Sequence, residues 1–261
     1  MKLSHDGWED ALETDWRTIE GVSTFLTAEW RKLIMAQYEV KPSKLMPYLP
    51  KGVELDTYQG RCYVSLVGFL FDRVRLKGLP IPLHTRFEEV NLRFYVKRRE
   101  PDGTTKRGVV FISELVPKRA IALIAKRIYE EPYATVPTNH RILASSDGLE
   151  VSYGWKFGGR WHSIAALAHP EPIEMPPGSE EEFITEHYWG YTKRSDGTTS
   201  AYEVRHPRWQ VYKLKSYEIA ADLGMLYGAT FANLTGTAPS SVILAEGSAV
   251  SVHSGFRLPA V

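Results

Sequence analysis

The 261-residue chain lacks most of the features by which a sequence is assigned at sight. It has one cysteine, Cys62, which excludes an internal disulfide framework and any metal cage built from cysteines. It has no surplus of either charge: 32 Lys+Arg stand against 31 Asp+Glu, for a net +1 with neutral histidine. That balance argues against a surface devoted to nucleic acid or to anionic membranes. No apolar run approaches the roughly 20 residues of a bilayer span, the longest uncharged one being residues 62–71. Nor do the first 23 residues read as a secretory leader, because Asp6, Glu9, Asp10, Glu13, Asp15 and Glu20 crowd them. A soluble, cytoplasmic protein is the expectation. The Walker loop, the dinucleotide fingerprint, the Gly-x-Ser-x-Gly elbow and His-Glu-x-x-His are all missing. The eight histidines include no pair at i, i+2 or i, i+4. No metal and no cofactor is therefore expected, although a site assembled from distant strands stays open.

What is present is a strand-rich pattern, with 43% apolar and 12% aromatic residues that exclude a disordered chain. Val90, Leu92, Phe94 and Val96 alternate with Asn91, Arg93, Tyr95 and Lys97, as in a half-buried strand. Pro101-Asp102-Gly103 then turns the chain into the apolar stretch 108–115. Further hairpins are signalled by Gly158-Gly159 and by Ser195-Asp196-Gly197. Residues 209–219 and 242–252 supply two more strands, and 62–71 is apolar on both faces, as in a strand covered on both sides. Hairpins of this kind mean antiparallel pairing. Helices are few: 42–49, 118–131 ended by Pro132, one capped by Ser179 with Glu182 and carrying His187 on its apolar face, and 222–227. The expected class is α+β, mainly antiparallel β, with the sheet curled into a barrel or cone. Residues 1–23 read as an arm or short helix, and 24–261 as a single domain.

Three places could carry chemistry. Glu246 shares strand parity with Val242, Leu244, Val250 and Val252, so its carboxylate points toward the core unless a bulge near Gly247 turns it outward. Glu88 raises the same question beside Val90 and Leu92, and pairing with arginine or backbone is the plain alternative for both. The third is Glu114-Leu115-Val116-Pro117-Lys118-Arg119, where a strand ends and a helix begins. The helix dipole, the adjacent Arg119 and apolar walls would all lower the pKa of Lys118. A neutral amine there is a nucleophile toward carbonyls, and the iminium it forms activates the neighbouring C–C bond. An exposed lysine in a first helical turn is the plain alternative.

Residues 25–31 (FLTAEWR), 87–93 (FEEVNLR), 114–119 (ELVPKR), 185–191 (TEHYWGY) and 244–248 (LAEGS) resemble one bacterial family, the YqjF-like proteins of unknown function. The resemblance runs from about residue 25 to 255 and implies the fold of acetoacetate decarboxylase, a cone of antiparallel strands with a lysine in its cavity. By that likeness Lys118, after Pro117, takes the place of the Schiff-base lysine, and Arg119 that of the second lysine. Arg31 matches an arginine near the start of the first strand. A catalytic glutamate matches Glu88 or Glu89, and strand parity favours Glu88 as the inward one. The enzyme's other cavity glutamate falls near residues 63–65, where no carboxylate stands in this sequence.

The reading is a polar cavity for a small keto-acid-like molecule. In the enzyme form Lys118 makes the iminium, Arg31 holds the carboxylate and Glu88 handles protons. Glu89, Arg119, Glu246 and Ser65 serve as further ligand contacts. A non-catalytic small-ligand barrel, or a structural or partner-binding domain, is the alternative. No nucleic-acid or membrane partner is expected. An edge strand could pair between subunits, which leaves a homo-oligomer open.

Overall fold

The structure, a computed structural model, describes residues 23–117 and 132–258. The predicted arm and the predicted helix over 118–131, with Lys118 and Arg119, lie outside the described residues. The strands run in order as β1 (Thr24–Val40), β2 (Glu54–Leu55), β3 (Cys62–Leu76), β4 (Leu79–Pro80) and β5 (Phe87–Arg99). Next come β6 (Thr105–Val116), β7 (Tyr133–Thr135), β8 (Thr138–Ser145), β9 (Gly148–Phe157) and β10 (Arg160–Glu174). The last are β11 (Trp189–Lys193), β12 (Thr199–Arg205), β13 (Gln210–Ala220), β14 (Ser241–His253) and β15 (Phe256–Arg257). All belong to one sheet, whose main path is β15-β12-β11-β6-β5-β3-β1-β14-β13-β10-β9-β8.

A β12–β14 pairing returns that path onto itself, so β12, β11, β6, β5, β3, β1 and β14 form a closed circuit. The remaining arm, β13-β10-β9-β8, folds across one face of β1, β3 and β5. Two cores result. Ile34, Leu66, Val90, Leu92 and Phe94 pack under Tyr153, Trp155 and Ile164 of the arm. Leu33, Met35, Val67, Phe69 and Tyr95 face the other way, into the circuit. The class is mainly antiparallel β with a few short helices, as the turn signals predict. Two parallel pairings, β6–β7 and β6–β11, depart from the all-antiparallel expectation.

The turns fall at Asp102-Gly103, Gly158-Gly159 and Asp196-Gly197, where the sequence puts them. Two details differ. β5 is buried on both faces, not one, because the arm covers one side and the circuit the other. The helix capped by Ser179 covers only Glu180–Thr185, so His187 and Tyr188 lie beyond its end. Glu182 turns back to the backbone N–H of Gly178, and Ser179 accepts from the N–H of Glu182 at 3.2 Å.

The alternation of side chains is inverted at left-handed residues. On β1, Ala28 and Trp30 face the circuit before Lys32, and Leu33 and Met35 after it, with Lys32 at φ 54°. On β14, Ile243 and Ala245 face the circuit before Gly247, and Val250 after it, with Gly247 at φ 79°. Residue 31 pairs with residue 247, so the two inversions sit across from each other. Against β3 the register of β1 shifts between Arg31 and Ile34. The Tyr153 hydroxyl of the covering arm donates to the carbonyls of Lys32 at 2.9 Å and Arg31 at 3.3 Å. Tyr153→Phe therefore removes a buried donor from this irregular segment, and should cost about 1–3 kcal/mol in denaturant unfolding without altering the m-value.

Candidate functional site

Inside the circuit is a cavity of about 110 Å³. Most of its wall is aromatic and aliphatic. Trp30 meets Phe69 and Phe71 edge-on at centroid distances of 5.5 and 5.8 Å, and Phe71 stacks on Phe87 at 4.8 Å. Into this surface β5 projects Glu89, Asn91 and Arg93, three alternate residues on one face of the strand. Glu114 joins them from β6, opposite Asn91. Its presence depends on a bulge: residue 92 pairs with 113 but residue 93 with 111, and the extra residue of β6 exchanges the faces beyond it. Without that bulge the parity of Val109 and Phe111 would send Ser113 inward.

Glu89 is 3% exposed. It accepts from Asn91 Nδ2 at 3.0 Å and from the Tyr133 hydroxyl at 3.4 Å. Burial pushes its carboxyl up to about 7, against those hydrogen bonds and the nearby Arg93 cation, so it exchanges a proton near neutral pH. Arg93 is buried too, and among the described wall residues it is the one permanent cation. One terminal nitrogen reaches the Ile184 carbonyl at 3.4 Å and the Met35 sulfur at 3.6 Å, while Nε has no partner.

The lower wall is completed by His187, whose Nε2 meets Asp56 Oδ2 at 3.2 Å. Arg107 Nε donates to the same oxygen at 2.7 Å, and Lys97 lies 3.7 Å from the other. Burial alone would raise the Asp56 carboxyl, yet the bonds from His187 and Arg107 outweigh it and hold it at about 2. Burial likewise pushes the His187 imidazole down to about 4, against the pull of Asp56, so the ring is neutral at pH 7. The sequence puts His187 on the apolar face of a helix; the structure places it beyond that helix's end, in the cavity wall.

Of the residues singled out by sequence, Glu89 lines the cavity. Glu88 does not. Parity puts it with Val90 and Leu92, but that face belongs to the core under the arm, where Glu88 bonds to Thr138 and His140 of β8. Its carboxyl is burdened by burial and lowered overall by those two bonds. Arg31 also lies elsewhere, pairing with Glu29 at 2.8 Å and Glu246 at 3.6 Å. Glu246 faces away from the cavity, held by Lys32 and the Tyr212 hydroxyl; it keeps the face of Val242 and Leu244, and Gly247 inverts only the residues that follow it. Ser65 is buried between Gln37 and the Tyr95 hydroxyl, at 2.6 Å from the latter, and is not part of the wall. Asn91, Arg93, Glu114, Tyr133 and Trp30 carry no sequence signal of their own, since each reads as a strand residue of ordinary type.

Among the described residues no cluster of three or more His, Cys, Asp or Glu side chains could hold a metal. No helix among them is long and apolar enough to cross a membrane.

The fold is that of the acetoacetate decarboxylase-like proteins. Acetoacetate decarboxylase of Legionella pneumophila superposes with a TM-score of 0.59 at 12% identity, over 99% of this chain and 98% of that one. The enduracididine biosynthesis enzyme MppR complexed with pyruvate gives 0.62 at 13% identity, over 95% of each chain. At such identities the likeness concerns the fold alone. The chain belongs to the family DUF2071, described as uncharacterized conserved protein (COG2071), whose pattern matches residues 27–249. The uncharacterized protein YqjF of Bacillus subtilis (strain 168) is 29% identical over 170 residues, which are 62% of this chain and 65% of that one. The match thus spans just under two thirds of that relative's length.

Proposed function

We propose that the chain binds a small keto-acid-like molecule in this cavity and acts on it through Lys118. The observation that carries the reading is the placement of Glu89 and Arg93 on one strand face in a largely apolar cavity. A permanent cation with a free N–H suits a carboxylate, and a carboxyl that titrates near 7 suits proton exchange at the adjacent carbon. The fold neighbour MppR, complexed with pyruvate, supports the ligand class. Lys118 follows cavity-lining Glu114 by four residues in sequence and is the candidate amine. Its nitrogen adds to the ketone carbon, and the carbinolamine loses water to give an iminium. In a β-keto acid the electrons of the carboxylate C–C bond then flow to nitrogen as CO₂ leaves. Glu89 returns a proton to the enamine carbon, and hydrolysis frees the lysine.

Borohydride trapping tests this. Incubation with pyruvate or acetoacetate, reduction, and peptide mass spectrometry should show one stoichiometric adduct on Lys118, absent from Lys118→Arg. Arginine keeps the charge but cannot form the iminium. Ligand binding without any adduct would leave a non-covalent cavity, and labelling scattered over surface lysines would remove the covalent step.

A further inference from the structure

Four residues that line the cavity carry buried hydrogen-bonding atoms without a protein partner, and the polarity of those atoms describes what should meet them. Trp30 Nε1 and Arg93 Nε are buried donors without partners. Asn91 Oδ1 and His187 Nδ1 are buried and equally without partners. All four residues line the cavity. Buried polar atoms are almost always paired, so four on one small cavity point to a ligand that pairs them.

For His187 the sense of the missing bond follows from its surroundings. Asp56, fixed by Arg107 at 2.7 Å, is a carboxylate and accepts only. The proton of the neutral ring therefore sits on Nε2 and is given to Asp56, which leaves Nδ1 with a lone pair. The ring packs between Tyr95 at 4.8 Å and Phe183 at 5.1 Å, which holds that orientation. The side chain is 1% exposed, so water does not supply the missing donor from bulk. A bare keto acid anion cannot supply it either: pyruvate and acetoacetate carry acceptors alone. They would satisfy Trp30 and Arg93 and leave two desolvated lone pairs on the wall unpaired.

We infer that His187 is a specificity-determining acceptor in this cavity, and that the ligand is a keto acid bearing a hydroxyl or N–H donor of its own. The inference rests on the keto-acid reading and narrows it. The donor group meets His187 Nδ1, with Asn91 Oδ1 as a second acceptor, while the carboxylate faces Arg93 and Trp30. Asp56 is a positioning residue, acting on the ligand through the histidine.

An isosteric pair of probes isolates the donor, because 3-hydroxypyruvate and 2-oxobutyrate differ by a hydroxyl in place of a methyl. Isothermal titration of the full chain should give the hydroxylated probe an affinity higher by about tenfold. His187→Phe keeps a ring between Tyr95 and Phe183 and should bring the ratio to about one. A tautomer assignment of unsubstituted protein by long-range ¹H–¹⁵N NMR needs no variant, and should find the proton on Nε2. Equal affinity for the two probes, a preference that survives His187→Phe, or a proton on Nδ1 would each overturn the inference and leave the keto-acid cavity standing. Failure of both probes to bind would bring down the keto-acid reading and this inference with it.

Discussion

Glu89→Gln should make the protein more stable at pH 8 and nearly inactive. The two effects have one cause. The unfolded chain releases the Glu89 proton near its ordinary value of 4.5, whereas burial holds the native carboxyl to about 7. Between those values the native state binds more protons, so stability from this group is complete below about pH 4.5 and is lost as the pH rises through 7. At roughly 1.4 kcal/mol per pH unit, the ionised Glu89 costs the native state about 3 kcal/mol at pH 8. Glutamine keeps the shape, accepts from Asn91 and donates to Tyr133, but never ionises. Thermal unfolding of the variant should thus lie above wild type by roughly 6–12 °C at pH 8 and converge with it near pH 4.5. A difference that stays constant across that range would show that Glu89 does not titrate. Loss of a positioned acid–base group costs roughly 100- to 10,000-fold in turnover, so any keto-acid activity should fall by that factor in the same variant. Stability gained and activity lost together distinguish a functional carboxyl from a structural one, whose removal would lower stability.

How much of this site the sequence discloses is decided by backbone irregularities. The hairpins are legible because Gly158-Gly159 and Asp-Gly pairs announce themselves through conformations other residues avoid. Assigning residues to faces requires unbroken alternation, and four of the strands around the cavity break it, β14 among them at Gly247. Lys32 at φ 54° and Arg73 at φ 51° take a left-handed conformation that nothing in their chemistry advertises. The bulge on β6 that brings Glu114 inward lies in an ordinary run, Ile112-Ser113. On β5 the alternation is intact, yet both faces are buried, so an apolar row at 90–96 does not say which face meets the cavity. That is why parity chooses Glu88 while the cavity takes Glu89. The His187–Asp56 pair is less legible still, because its members stand 131 residues apart and meet only when β2 joins β5 and the chain beyond Thr185 closes the wall.

Gly247→Ala should be among the most damaging single substitutions in the described chain. A Cβ there would stand 1.9 Å from the Trp30 carbonyl oxygen and 2.9 Å from Leu33 Cδ1, closer than any real contact. The first of these atoms is backbone of β1, which lies between β14 and β3, and cannot swing aside as a side-chain tip can. Gly247 also sits at φ 79°, where an L side chain adds about 1–2 kcal/mol of strain. Gly60 separates these contributions, since it has the same φ of 79° and a Cβ added there would meet nothing within 4 Å. Gly60→Ala should cost the conformational part alone, about 1 kcal/mol. Gly247→Ala adds the displacement of β1 from β14, for a total of about 4 kcal/mol or more, a large share of a typical 5–15 kcal/mol stability. Guanidinium unfolding of the two variants beside wild type measures the difference directly. Because Trp30 spans both the strained pairing and the aromatic wall, a Gly247→Ala protein that still folds should also bind keto acids more weakly, while Gly60→Ala should bind as wild type does. Equal losses in the two variants would mean that β1 and β14 can part at residue 31 without cost, and the inversion of faces that turns Val250 into the circuit would then not depend on their close approach at Gly247.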